Sequence, residues 1–159
     1  MFAASLLVLL GCATAHLALA AVSPSPWWVP DLTLAGLVLS VARAPTRWLA
    51  LSGWAGFLTV GWAVRFPGQI FTGYLLIGWA SQMVARQWDA TDLRIECVLV
   101  AAGSLVLMLG MLWLADLWSP GLVVLSGFRA ALTCGIVPLV HHLAARGPQA
   151  AGAGPDHDA

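Results

Sequence analysis

Cys97-Val98-Leu99-Val100-Ala101-Ala102-Gly103-Ser104-Leu105-Val106-Leu107-Met108-Leu109-Gly110-Met111-Leu112-Trp113-Leu114-Ala115 holds no charged residue. As a helix rising 1.5 Å per residue it covers about 28 Å, close to the ~30 Å hydrocarbon core of a bilayer. It is too long for a strand. Further uncharged stretches occupy residues 1–30, 32–42, 48–64, 66–85, 117–128 and 130–145. The chain has 159 residues, 60% hydrophobic and 9% charged, with mean hydropathy +0.88; soluble domains carry about a quarter charged residues. The expected fold class is therefore all-α, a polytopic integral membrane protein with about six transmembrane helices. Residues 1–146 form a single transmembrane helical domain, and 147–159, an Ala/Gly/Pro tail with Asp156 and Asp158, a disordered cytoplasmic segment. The seven cations are all Arg, balanced by seven acids. Such neutrality argues against nucleic-acid binding, which needs a basic face.

The spans follow from the punctuation. Phe2–Val22 is the first, because nothing basic precedes its apolar run as a signal peptide requires. Ser23-Pro24-Ser25-Pro26 stops it, and Trp27-Trp28 suit a membrane interface. Asp31 is placed to cap the second span, 32–42, by accepting free backbone N–H groups. At about 17 Å that span is short, and must borrow length from 27–31 or tilt against neighbours. Span three is 48–64, span four 66–85, span five 93–117 after a polar connector at 86–96, and span six ends near Ala145. Arg43, Arg47, Arg86, Arg94 and Arg146 fall on one side and Arg65 on the other. That bias places the Arg-rich side, with both termini, in the cytoplasm.

No grouping suits catalysis: there is no HExxH, phosphate loop or GxSxG, and acids in the 86–96 connector are expected to be solvated. The chain is expected to be no enzyme and to carry no cofactor. Cys12, Cys97 and Cys134 lack metal-ligand spacing, so no metal is expected. His16 is mid-span and is expected to hydrogen-bond a neighbouring helix; His141-His142 suit an interfacial helix end. Arg129 lies within the last apolar stretch, and an intramembrane ionisable group marks function by default. Its expected ion-pair partner across the hairpin is Asp116. Candidate partner-facing or helix-packing residues are Trp54, Gly56, Phe57, Gly73, Tyr74, Gly78, Trp79 and Gly110, since small residues let helices approach closely.

Several segments, taken in order, resemble the rod-shape-determining MreD family over residues 27–146. They are Pro30-Asp31 opening Leu32-Thr33-Leu34, a short basic turn, Gly56-Phe57, then Phe71-Thr72-Gly73-Tyr74-Leu75-Leu76-Ile77-Gly78-Trp79 closed by Arg86. Arg129-Ala130-Ala131-Leu132 and Pro138 complete the series. The chain departs from the family where Gly61 follows Gly56 by five residues and Arg65 stands near a usual acid. The resemblance implies a non-catalytic scaffold of the bacterial elongasome in the cytoplasmic (inner) membrane. It would bind an MreC-like membrane protein, and through it MreB and peptidoglycan synthases such as RodA and a class B penicillin-binding protein. It also implies a fold similar to the substrate-binding subunits of energy-coupling-factor vitamin transporters. The rival reading is accordingly a membrane solute-binding subunit of that type.

Overall fold

Two closely spaced prolines end the first helix at Val22, and Asp31 starts the second at Leu32. The computed structural model describes residues 2–60, 66–88 and 92–146. Among these, six α-helices and no strand occur: α1 (Phe2–Val22), α2 (Leu32–Arg43), α3 (Trp48–Val60), α4 (Pro67–Gln87), α5 (Leu93–Leu114) and α6 (Pro120–Arg146). Short 3-10 turns at Pro26–Trp28 and Pro45–Arg47 lead into α2 and α3. Three helices, Phe2–Val22, Leu93–Leu114 and Pro120–Leu143, are long and apolar enough to cross a membrane, the mark of a membrane protein. The Gly61 and Arg65 departure and the tail at 147–159 lie outside the described residues.

The helices pair as antiparallel hairpins, α1 with α2, α3 with α4 and α5 with α6. The short helix resolves its length problem by position. All residues from Leu32 to Val41 are buried, and α2 packs against each of the other five helices. Leu34, Leu37, Val38 and Val41 meet Leu9 of α1, Leu51 of α3, Ile77 of α4, Val100 of α5 and Val137 of α6 in one core cluster. A helix surrounded by protein need not match the bilayer. Its ends meet polar groups from neighbouring helices rather than lipid, where unsatisfied backbone is forbidden.

Close approach of backbones holds α1 to α2. A Cβ on Gly36 would stand 2.8 Å from Cys12 Cβ, so the contact exists because that carbon is missing. Ser40 Oγ donates to Ser5 O at 3.0 Å on the same seam. Between α5 and α6, Pro138 removes the N–H that would bond Cys134 O, and Cys97 Sγ lies 4.0 Å from that carbonyl as its weak donor.

The Gly36 seam predicts a sharp asymmetry in melting temperature in neutral detergent. Gly36→Ala, which overpacks a rigid neighbour, should cost about 1–3 kcal/mol. Gly11→Ala, with open space around its Cβ position, should leave stability equal or slightly raised. Equal effects of the two would mean that α1 and α2 adjust freely.

Candidate functional site

Where α2 begins, a polar node joins three helices. Asp31 Oδ1 accepts from Leu34 N–H at 3.0 Å, closing the first turn of α2 as the sequence predicts. Tyr74 of α4, itself 1% exposed, points its hydroxyl at the same carboxylate, 3.1 Å from Oδ1 and 3.3 Å from Oδ2. Asp31 N–H donates to Thr133 Oγ1 at 2.9 Å, and that hydroxyl donates to Arg129 O at 2.8 Å. One aspartate thus ties α2, α4 and the turn of α6 that carries Arg129. His16 of α1 adds a ring N–H, Nδ1 standing 2.9 Å from Pro30 O, which can only accept.

Beside this node lies a cavity of about 410 Å³. All six helices or their leading residues contribute: Ala13 and His16 from α1, Asp31 before α2, Thr59 from α3, Tyr74 from α4, Met108 from α5 and Arg129 from α6. Most of its remaining wall is aliphatic. Arg129 is half-buried there. Its Nη1 donates to Met108 Sδ at 3.5 Å, a weak acceptor, and its buried Nε has no partner.

The expected Asp116–Arg129 ion pair does not form; among the described residues the one ion pair is His141–Glu96. The reason lies in the backbone. Asp116 sits at φ 54° just past α5. Asp116 N–H bonds Trp113 O at 3.2 Å and Leu117 N–H bonds Leu112 O at 3.0 Å, the Schellman pattern usually built on glycine. Asp116 is therefore a helix terminator. The carboxylate that shares a cavity with Arg129 is Asp31.

A second correction concerns Glu96, expected in solvent. Helix α5 starts at Leu93, which carries Glu96 inward to 1% exposure. Its Oε2 stands 2.7 Å from His141 Nδ1, while Oε1 has no partner. This pair lies at the opposite end of α5 from the cavity. No group of three or more His, Cys, Asp or Glu suited to a metal occurs among the described residues.

The other candidates sort by what surrounds them. Gly56 and Gly78 are helix-packing positions, since a Cβ would strike Phe71 from the first and Ser52 from the second. Tyr74 faces inward. Gly73 would meet the flexible end of Leu107, while Gly110 has open space. These last two glycines line one shallow groove between α4 and α5. Trp54 and Phe57 stand edge to face, centroids 6.1 Å apart, on an exposed face of α3. Trp79 is 49% exposed. The sequence singles out Asp31 as a cap, Tyr74 as a packing residue, His16 as a hydrogen-bonding group and Arg129 as an intramembrane charge, but neither Thr133 nor the convergence of these residues on one carboxylate. Compared with known proteins, the chain matches no protein-family model, no curated protein and no solved structure.

The terminator role of Asp116 gives a clean expectation. Asp116→Gly should hold or raise stability by up to about 1 kcal/mol, because glycine adopts positive φ without strain. Asp116→Val should lower it by about 1–2 kcal/mol. The effect of Arg129→Gln should be the same with Asp116 or Gly at that position. A dependence on Asp116 would restore the ion pair.

Proposed function

We propose that this chain is a non-catalytic scaffold subunit of the MreD kind, set in the bacterial inner membrane with six crossings and both termini cytoplasmic. Its task in this reading is to hold an MreC-like membrane protein by its spans, and so link MreB to RodA and a class B penicillin-binding protein. The observation that carries the reading is the groove between α4 and α5. Gly73, Gly110, Leu76, Val106 and Leu114 line it, and the two helices touch each other far less than the partners within each hairpin. Lipid satisfies apolar surface as well as protein does, so helices associate in membranes through close van der Waals fit, best at small residues. A glycine-floored groove gives a partner's helix that fit.

Two further features support the reading. Arg43, Arg47, Arg86 and Arg94 sit at helix ends that share one end of the bundle, which agrees with a cytoplasmic face. The aromatic pair Trp54–Phe57 adds an exposed apolar shelf for a second contact. One observation favours the rival class, a solute-binding subunit of energy-coupling-factor type: the cavity beside Asp31 is walled by all six helical segments.

Co-purification from native membranes discriminates the two. A Cβ at Gly110 meets open space, so Gly110→Leu places its side chain in the groove that Gly110 lines. It should give wild-type folded yield and lose most of the MreC-like partner, whereas Gly11→Leu should retain it. Full retention by Gly110→Leu overturns the groove as the docking site. A wild-type chain that holds no protein partner, yet takes up a vitamin-sized molecule one to one, decides for the solute-binding class.

A further inference from the structure

We propose that the cavity beside Asp31 is a binding site for a small amphiphile with one anionic oxygen group, a carboxylate or a phosphate, held by Arg129. The inference needs neither functional reading, because a scaffold and a solute-binding subunit can each carry such a site.

The polar groups at the site differ in how far they are satisfied. Asp31 Oδ1 accepts from Leu34 N–H, and the single Tyr74 hydroxyl proton is shared between Oδ1 and Oδ2. The Asp31 N–H is served by Thr133. His16 is anchored to Pro30 O. Arg129 is the exception: a guanidinium brings five donors, yet here one reaches only a thioether sulfur and Nε reaches nothing. What Arg129 lacks is an oxygen acceptor, so the molecule that completes it brings acceptor oxygens. A charged acceptor suits best, since charge-assisted bonds to guanidinium are roughly twice as strong as neutral ones. A bare guanidinium among apolar helices is costly without such a partner.

The rest of the wall describes the rest of the ligand. Leu17, Leu58, Ile70, Leu107 and Met111 are apolar, and beyond the groups already named only the Thr33 and Thr59 hydroxyls interrupt them. A volume of about 410 Å³ falls in the range of small-molecule sites. It fits a single chain or a compact apolar body, with its head against Arg129. Thr133 fixes the Arg129 turn to Asp31, making Asp31, Tyr74 and Thr133 positioning residues.

The experiment uses the full chain in neutral detergent, with decyl phosphate as probe and equilibrium dialysis as readout. Decyl phosphate should bind one to one, and decanol, which has the same body without the charge, should not compete. Arg129→Gln should weaken the probe about tenfold or more, the value of a lost charged hydrogen bond, and Arg129→Lys less. Ala20→Phe, which narrows the cavity at its exposed rim on α1 and leaves every polar group in place, should weaken binding even if Arg129→Gln fails to fold. Displacement by dioctanoyl phosphatidate assigns a membrane lipid as the natural source; displacement by phenyl phosphate alone assigns a water-borne molecule. Binding that decanol competes equally, or that survives Ala20→Phe unchanged, overturns the site.

Discussion

A carboxylate inside a helical bundle sets the terms for this structure. Helix α2 has 12 residues, about 18 Å of length, so its N-terminus comes to rest among other helices rather than at a water surface. The free N–H groups of that first turn need acceptors, and Asp31 supplies one from its own side chain. The carboxylate then needs donors itself, because a buried charge left unpaired is costly. Tyr74 from α4 answers that need, and Thr133 from α6 takes the backbone N–H. Each requirement recruits a different helix. The apolar contacts of Leu34, Leu37 and Val38 follow from this placement; in lipid they contribute through fit rather than through escape from water.

The same logic places the cavity. Six helical segments converge around the start of α2 and wall the cavity there. Arg129 faces it because Thr133, four residues on, is held to Asp31. Polar chemistry gathers again at the other end of α5, where Glu96 and His141 lock α5 to α6. Between these two polar levels the contacts are mostly aliphatic. The groove between α4 and α5, by contrast, carries no such tie, which leaves it open to another helix.

Local patterns revealed the elements, and long-range pairings stayed hidden. The ends of Phe2–Val22 follow from the proline run, and the cap at Asp31 follows from its place before an apolar stretch. The central position of α2 did not follow: a short apolar segment reads alike whether tilted, interfacial or enclosed. Tyr74 lies 43 residues from Asp31, and nothing in its helix marks which neighbour it faces. Proximity along the hairpin pairs Asp116 with Arg129, but the positive φ of Asp116 makes it a terminator instead. In sequence Glu96 stands among the connector charges, while the helix that begins at Leu93 carries it inward. Nothing in the sequence around Gly36 marks its close approach to Cys12, a contact between two helices.

Asp31 couples α2, α4 and α6 as one unit. A double-mutant cycle on unfolding in detergent tests it most directly, with Tyr74→Phe removing the donor to the carboxylate and Thr133→Val removing the acceptor for the N–H. The two residues share Asp31 as their partner, so their effects should interact by about 0.5–3 kcal/mol. Each single change should cost about 1–3 kcal/mol through the group it orphans. Losses that add within about 0.3–0.5 kcal/mol would mean that the two bonds act independently and that no common node organises the bundle.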